Sequence, residues 1–217
     1  MRRIAVLVSG RGSNLQALLD AIASGALDAR VVGVFSDKLQ APALERVPTA
    51  LRWSRDAKSY VHREEFDAEL ADAIDAVQPD WVVCAGYLRL LGDAFVARFR
   101  GRLLNIHPSL LPAYRGLRTH ARAIADGATE HGASVHFVSP ELDAGAVVAQ
   151  ALVPVLPGDT PDALAERVLG VEHPLLVAAV KLVVDGRVKE DGDRVLFDGH
   201  PLLRPLRVDS AGLLAPT

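Results

Sequence analysis

The chain has 217 residues, a length that fits one domain or two, and half of the residues are hydrophobic, which is enough to bury a sizeable core. Acidic residues number 27 and basic residues 24, so the net charge of −3 argues against a dedicated nucleic-acid-binding protein. The single cysteine, Cys84, excludes an intrachain disulfide and favours a reducing, cytoplasmic compartment. No apolar run approaches the roughly 18 residues of a membrane span, so no membrane partner is predicted.

The first half of the chain alternates strand-like and helix-like segments. Apolar, β-branched runs between turn residues predict strands over 4–10, 29–37, 49–53 and 79–88. Amphipathic spacing predicts helices over 13–25 and 62–78, with short ones at 42–47 and 92–98. Ser13 and Gln16 form an S-x-x-Q capping box, which places the start of the first helix at Ser13.

The second half continues the alternation with a pair of adjacent strands. LLNIH (103–107) predicts a strand, followed by a helix over 118–126 and two antiparallel strands over 131–138 and 146–155. A long helix over 161–184, broken near Pro174, precedes a hairpin within 187–197 and a proline-rich tail. The fold class predicted is α/β, an open, mostly parallel, mixed and twisted sheet with helices on both faces, Rossmann-like.

Three strands end in polar motifs, namely SGRGSN, AGYLRLL and NIHP. The carboxyl ends of parallel strands meet at one edge of a sheet, where α/β proteins bind ligands. The glycine-rich turn SGRGSNLQ opens a helix, and helix N-terminal N–H groups attract anions, so a phosphate is expected there. The turn also resembles the dinucleotide-binding pattern G-x-G-x-x-G, in which Asp37 would bind the ribose. The pattern is not matched, because its last position is Leu15. An ordinary strand-to-helix turn is the remaining alternative.

Asn105 and His107 lie two residues apart on a predicted strand and therefore point to the same face. An amide can stabilise an oxyanion and an imidazole can move protons, so the pair suits acyl transfer. A catalytic histidine needs an orienting carboxylate, which also raises its pKa. The loop PELDAG offers Glu141 and Asp143 without deciding between them, and Gly145 makes that loop conformationally free.

Other reactive residue types favour structural interpretations. Cys84 follows an apolar strand without an adjacent base, which predicts a buried core residue. His131 and His136 are five residues apart on a strand and form a poor metal pair, although His136 can face the sheet edge. No metal site is predicted.

Five segments occur in an order that resembles the folate-dependent phosphoribosylglycinamide formyltransferase family: SGRGSNLQALLDAI, AGYLRLL, GRLLNIHPSLLPAYRG, HGASVHFVSPELDAG and GVEHPLL. The resemblance covers residues 3–190. It implies an enzyme of purine biosynthesis that transfers the formyl group of its co-substrate, 10-formyltetrahydrofolate, to the amine of phosphoribosylglycinamide. It also implies small-molecule substrates, no nucleic-acid partner and a monomer or homodimer.

The resemblance also assigns residues. It implies catalytic roles for Asn105, His107 and Asp143, which favours Asp143 over Glu141, with a protonated His107 stabilising the oxyanion. It implies ribotide contacts from Gly12, Ser13, Asn14, Gly86, Tyr87 and Glu172. It implies folate contacts from Arg63, Leu88, Arg89, Leu90, Leu91, Asn105, Val138, Ser139, Pro140, Glu141 and Asp143.

A single formyltransferase domain over 1–217 is expected, with a phosphate-binding half up to about 100 and a folate and catalytic half over about 101–190. The hairpin and tail over about 186–217 complete it. Departures from the family pattern are Ala113, Arg115, Arg118 and Ala144, which lie around the entrance to the expected site.

Three alternatives stay open. A formyltetrahydrofolate hydrolase uses the same catalytic set with water as acceptor, but that relative carries an additional N-terminal domain and has no use for the phosphate turn. A methionyl-tRNA-formylating relative needs a C-terminal RNA-binding domain, and only about 30 residues follow the resemblance here. A non-catalytic binding module of the same fold is disfavoured because all three catalytic residues are present.

Overall fold

The computed structural model describes residues 1–208 and 213–216, and the chain forms two compact units, Met1–Asn105 and Ile106–Thr217. Strand β5 (Leu103–His107) crosses the division between them. None of the described helices combines the length and apolar character that a membrane crossing requires. The expectation of a single domain stays a prediction.

The first unit is a parallel α/β arrangement. Its elements are β1 (Arg2–Val8), α1 (Ser13–Ala23), β2 (Ala29–Ser36), β3 (Arg52–Ser54), α2 (Arg63–Ala76), β4 (Trp81–Cys84), α3 (Asp93–Arg98) and the first part of β5. The strand order is β5-β4-β1-β2-β3, and every pair is parallel. Residues Ile4–Val8 of the central strand β1 are fully buried. Burial along both faces explains why β1 is continuously apolar rather than alternating.

The second unit contains a mixed sheet and the longest helix. Its elements are α4 (Thr119–Ala125), β6 (Glu130–Phe137), β7 (Val147–Pro154), α5 (Pro161–Val184), β8 (Val188–Asp191), β9 (Arg194–Phe197), β10 (His200–Pro201), β11 (Leu206–Val208) and β12 (Leu214–Ala215). β6 and β7 pair antiparallel, and β11 joins β7 in parallel. Strands β8, β9 and β10 form a separate small antiparallel sheet. The predicted α/β class with a mostly parallel, mixed sheet is confirmed.

The capping box expected at the first helix is wrong. The N-cap of α1 is Gly12, with a left-handed backbone (φ 75°), and no side chain caps the helix. The Gln16 amide nitrogen donates to Asp20 and its oxygen accepts from Arg46, at 2.8 and 2.9 Å. A glycine in the left-handed region turns the chain sharply into the helix, so Ser13 becomes the first helical residue rather than the cap.

Four other details of the predicted elements differ from the structure. Helix α5 is continuous through Pro174, because Leu175, Leu176 and other residues after the proline are buried in the core. The strand expected over 49–53 is a 3-10 turn over Thr49–Leu51 followed by β3. The strand expected over 79–88 ends at Cys84, so the residues after it form an irregular segment. The tail described as proline-rich contains β11 and β12, and part of it, residues 209–212, lies outside the described residues.

Candidate active site

The glycine-rich turn joins β1 to α1 and is shaped by Gly12. A Cβ atom at Gly12 would lie 2.5 Å from the Cβ of Ala43, so glycine is required by space as well as by its positive φ. Arg46 stabilises the turn, since its Nε donates to the Arg11 carbonyl at 2.9 Å. Asn14 is buried in the first turn of α1 and Ser13 is half-buried. The first N–H groups of α1 can therefore meet an anion on a fixed backbone.

Replacing Gly12 by alanine is expected to lower the free energy of unfolding by about 2 kcal/mol or more, through backbone strain and overlap with Ala43. Gly10→Ala is the matched control, because Gly10 lacks a positive φ and a Cβ there meets nothing within 4 Å. Urea unfolding of both variants measures the difference. Equal stability of the two variants would contradict this account of the turn.

Ser9 joins the glycine-rich turn to the segment after β4. Its hydroxyl donates to Asp37 at 2.6 Å and accepts from the Leu88 N–H at 2.9 Å. Its own N–H donates to the Gly86 carbonyl at 3.1 Å. The carboxyl ends of β1 and β4 therefore meet, as the sequence predicted. Asp37, the residue a dinucleotide-binding protein would use for ribose, here accepts a hydrogen bond from Ser9.

The segment Leu88–Gly92 is irregular and continues from Gly86, which has a positive φ of 81°. Tyr87 and Leu91 are buried, whereas Leu88 and Leu90 are 66% and 47% exposed. The Arg89 guanidinium lies 5.0 Å from the centroid of the Phe66 ring. Arg63, at the start of α2, is 3.9 Å from Asp67. The first unit thus brings Gly86, Tyr87 and the predicted folate residues 88–91 into one chain segment beside the glycine-rich turn.

Strand β5 carries Asn105 and His107 two residues apart. Asn105 is half-buried and lies opposite Cys84 in the register of β4 and β5. His107 is 6% exposed. Its ring is held at both nitrogens: Nε2 lies 3.0 Å from the Tyr114 carbonyl oxygen, and Nδ1 lies 3.4 Å from Asp143 Oδ2. A carbonyl only accepts, so the Nε2 atom carries a proton.

Burial lowers the pKa of His107 below its usual value. The Tyr114 carbonyl and the Asp143 carboxylate act in the opposite direction, and burial outweighs them. The sequence led us to expect that a neighbouring carboxylate raises the pKa of His107. Asp143 does act in that direction, but the net shift of the pKa is downward. Burial thus disfavours the charged ring, while the Asp143 carboxylate lies beside Nδ1. A proton added at Nδ1 would find an acceptor already in place.

Asp143 has a left-handed backbone, with φ 47°. Its Oδ2 accepts from the Gly116 N–H at 2.9 Å, and its Oδ1 lies 3.7 Å from Nε2 of His136. Burial by itself opposes ionisation of Asp143, but the His136 ring, the electrostatic interaction with His107 and the Gly116 N–H together hold its pKa below the usual value. Asp143 is therefore ionised at neutral pH between two imidazole rings.

The loop between β6 and β7 places the two candidate carboxylates differently. Glu141 is exposed and pairs with Arg115 at 2.6 Å, while Asp143 turns inward to His107. Ser139 donates to the Glu141 carbonyl at 3.1 Å. The conformational freedom expected of this loop stays a prediction, but space requires a glycine at position 145, because a Cβ there would overlap the Phe137 carbonyl oxygen. Gly145 lets the two ends of the loop approach each other closely.

A buried hydrogen-bond network holds the chain after His107. The Ser134 hydroxyl donates to the Ser109 carbonyl at 2.6 Å and accepts from the Leu111 N–H at 3.0 Å. The Gln150 amide donates to the Leu111 carbonyl at 2.7 Å. Farther along, the Tyr114 ring packs edge-on against His131, with centroids 5.7 Å apart. These contacts fix the segment that delivers the Tyr114 carbonyl to His107.

Sequence reasoning missed several residues of this site. His136 received no role, although it faces Asp143, and Gln150 and Ser134 were not singled out. Polar residues within otherwise apolar strands could have indicated them, because a buried polar side chain needs hydrogen-bond partners. Ser134, His136 and Gln150 are all at most 4% exposed. No sequence pattern indicated the contact between the Tyr114 carbonyl and His107, because the direction of a main-chain carbonyl depends on backbone angles.

The remaining predicted residues occupy separate positions. Glu172 is buried on α5, and Val138 and Pro140 flank Ser139 in the loop before Asp143. Arg115 contacts Glu141, and Arg118 is the N-cap of α4 with φ 55°. Within the described ranges, no group of three His, Cys, Asp or Glu side chains could hold a metal ion.

Comparisons with known proteins agree with the fold. The profile of the family described as formyl transferase matches residues 2–180. Phosphoribosylglycinamide formyltransferase of Escherichia coli (strain K12) is 46% identical over 201 residues, covering 92% of this chain and 95% of the relative. Glycinamide ribonucleotide transformylase 1 from Symbiobacterium toebii has a TM-score of 0.87 and 43% identity, covering 91% of this chain and 94% of that chain.

A formyltetrahydrofolate deformylase from Pseudomonas syringae pv. tomato str. DC3000 also shares the fold. Its TM-score is 0.79 at 26% identity, and the match covers 91% of this chain and 66% of that chain. The fold alone therefore does not separate formyl transfer from hydrolysis. Because the family profile covers most of the sequence, the chain belongs to the formyl transferase family.

Proposed function

We propose that this protein transfers the formyl group of 10-formyltetrahydrofolate to the amine of phosphoribosylglycinamide in purine biosynthesis. The products are formylglycinamide ribonucleotide and tetrahydrofolate. The observation that carries the proposal is the fixed pairing of His107 Nδ1 with the Asp143 carboxylate at 3.4 Å, in a chain of the formyl transferase family. Formyl transfer needs a group that accepts a proton and returns it, and this pair is suited to that task.

The reaction proceeds by addition and elimination at the formyl carbon. The substrate amine attacks that carbon, a new C–N bond forms, and the carbonyl oxygen becomes an oxyanion. The nitrogen then loses a proton, directly or through water, to His107 Nδ1, and Asp143 stabilises the resulting imidazolium. Asn105 and the imidazolium stabilise the oxyanion. When the bond to N10 breaks, the proton passes to N10 and tetrahydrofolate leaves.

The ribotide and the folate use the other predicted residues. Gly12, Ser13 and Asn14 bind the phosphate through helix N–H groups, while Gly86, Tyr87 and Glu172 contact the rest of the ribotide. The folate binds along Leu88–Leu91, with Arg63 near its glutamyl end. The family resemblance assigns further folate contacts to Val138, Ser139, Pro140 and Glu141. These assignments follow the family resemblance, and the fixed backbone of the glycine-rich turn supports the first of them.

The proposal extends to the setting of the enzyme. We propose one cytoplasmic formyltransferase domain that acts on small molecules, as a monomer or homodimer, without nucleic acid, membrane or metal. The Asp–His pair supplies the proton transfers that the reaction requires, so the chemistry proposed contains no step that needs a metal.

The proposed acceptor predicts that tetrahydrofolate release depends on the ribotide. Purified protein with 10-formyltetrahydrofolate should release tetrahydrofolate at least about 100-fold faster when phosphoribosylglycinamide is present, since a positioned amine outcompetes water. Absorbance spectroscopy follows tetrahydrofolate, and mass spectrometry identifies the formylated ribotide. Release at the same rate without the ribotide would support the hydrolase instead.

A further inference from the structure

The segment Leu88–Gly92 is fixed at both ends by buried side chains from elsewhere in the first unit. At one end the Leu88 N–H donates to the hydroxyl of Ser9, which is 2% exposed, at 2.9 Å. At the other end the Gly92 N–H donates to Oδ2 of Asp67, which is 5% exposed, at 2.8 Å. An irregular segment held in this way has little freedom to shift along its length.

Asp67 is an unusual residue in its surroundings. It lies on the buried face of α2 beside Phe66 and Leu70, where an apolar side chain would pack without penalty. Burial raises its pKa, although the Gly92 N–H and the charges of Arg89 and Arg63 act against that rise. Its Oδ1 is buried and has no hydrogen-bond partner among the described residues. Burying a carboxylate costs stability, so we expect Asp67 to have a role that depends on the groups it contacts.

The hydrogen bond of Asp67 and its contacts with cations lie on the folate side of the proposed site. Asp67 holds the N–H of Gly92, lies 3.9 Å from the Arg63 guanidinium and interacts electrostatically with Arg89. A Cβ at Gly92 would lie 3.0 Å from Asp67 Oδ2, so the backbone of the segment and the carboxylate are closely fitted. Asp67 is thus linked to the segment 88–92 and to both arginines of the predicted folate set.

We infer that Asp67 is a positioning residue for folate binding. It fixes the C-terminal end of the segment Leu88–Gly92, while Ser9 fixes the other end, so that the segment presents one backbone conformation to the folate. The inference rests on the proposed function, because it is that function which assigns residues 88–91 to the folate. Asp67 touches no substrate itself, and its effect passes through the backbone that it holds.

The experiment separates the hydrogen bond from the charge. Asp67→Ala removes both, Asp67→Asn keeps an acceptor for the Gly92 N–H, and Asp67→Glu keeps the charge but displaces the acceptor by one methylene. Asp72→Asn is the matched control on the same helix, since the exposed Asp72 pairs with Arg98 at 2.7 Å. Isothermal titration with tetrahydrofolate and, separately, with phosphoribosylglycinamide gives Kd, and amide exchange by NMR reports on Gly92.

Asp67→Ala and Asp67→Glu should raise Kd for tetrahydrofolate by about tenfold and speed exchange of the Gly92 amide. Asp67→Asn should stay within about threefold of wild type, because the hydrogen bond is preserved. Kd for the ribotide should stay unchanged in every variant. In Asp72→Asn, Kd for tetrahydrofolate should stay unchanged as well. Should Asp67→Ala fail to fold, Asp67→Glu carries the test.

Two results would overturn the inference. One is an unchanged Kd for tetrahydrofolate in Asp67→Glu despite faster exchange at Gly92. The other is an equal rise in Kd for both ligands, which would indicate a general structural role. If wild-type protein fails to bind tetrahydrofolate at all, the proposed function is what fails, while the exchange measurement still tests whether Asp67 holds the segment.

Discussion

Replacing Asp143 by asparagine is expected to lower kcat for formyl transfer by about 100- to 10,000-fold, the range typical of a lost proton-transfer group. Asparagine tolerates the left-handed backbone at this position and can still accept the Gly116 N–H. It cannot stabilise a proton on His107 by charge. Steady-state rates at saturating concentrations of both substrates measure the loss, and titration calorimetry should show both substrates still bound.

Asp198→Asn is the matched control for this substitution. Asp198 also has a positive φ, 49°, and its carboxylate accepts two hydrogen bonds from Arg187 at 2.9 and 2.6 Å. It lies in the C-terminal hairpin region, away from any imidazole that takes part in the proposed chemistry. Its replacement should leave kcat within about twofold, since exposed ion pairs contribute little. Near-normal turnover in Asp143→Asn would exclude Asp143 from the proton transfer.

The choice of Asp143 over Glu141 illustrates what sequence spacing leaves open. Both carboxylates lie in one short loop, and either could have reached His107 by length alone. The left-handed φ of Asp143 turns its side chain inward to the Gly116 N–H, whereas Glu141 extends to Arg115. Backbone angles in a loop depend on contacts at both of its ends, so the family resemblance rather than periodicity selected the carboxylate that lies beside His107.

Strand periodicity, by contrast, predicted the placement of Asn105 and His107 from sequence. The two-residue repeat of a strand and the proline after His107 left few alternatives, and β5 ends at His107 as expected. The same reasoning succeeded for the alternation of strands and helices, because buried faces impose a period on the sequence. It failed at Pro174, where packing of the residues that follow outweighs the lost hydrogen bond.

The protonation state of His107 was the least predictable property of the site. The sequence supplied a carboxylate that raises the pKa of a histidine, and that contribution is present. The sequence could not predict how deeply the His107 ring is buried, because that depends on how completely the folded chain covers it. Burial therefore acts against the imidazolium that the family resemblance implies, and in the proposed mechanism His107 first accepts the proton of the amine.

Replacing His107 by glutamine is expected to abolish measurable turnover, with a loss of at least about 1,000-fold. The glutamine amide can donate to the Tyr114 carbonyl much as Nε2 does, so the fold is expected to persist. Glutamine cannot accept a proton at neutral pH, so the amine proton has no acceptor. Substrate binding within a few-fold of wild type, measured by calorimetry, would confine the loss to the chemical step. His200→Gln, in the exposed strand β10, is the control and should turn over normally.

The titration of His107 tests the cause of its pKa shift directly. NMR of the imidazole, assigned by its absence in His107→Gln, should give a midpoint below the usual value of about 6.5 in wild-type protein. Asp143→Asn should move that midpoint lower still, because Asp143 is one of the groups that raise it. A midpoint that rises in Asp143→Asn would contradict the pairing of the two residues.

The lowered pKa of His107 also determines how the stability of the protein changes with pH. A folded-state pKa below the unfolded value means that the unfolded chain binds the proton first as pH falls. Stability from this group is therefore complete above about pH 6.5 and declines as pH falls from there through the folded-state midpoint. In urea unfolding, His107→Gln should lose less stability than wild type between pH 7 and pH 5, since it has no proton to bind. An identical decline in both proteins would contradict the lowered pKa of His107, and with it the proposal that His107 accepts the proton of the amine.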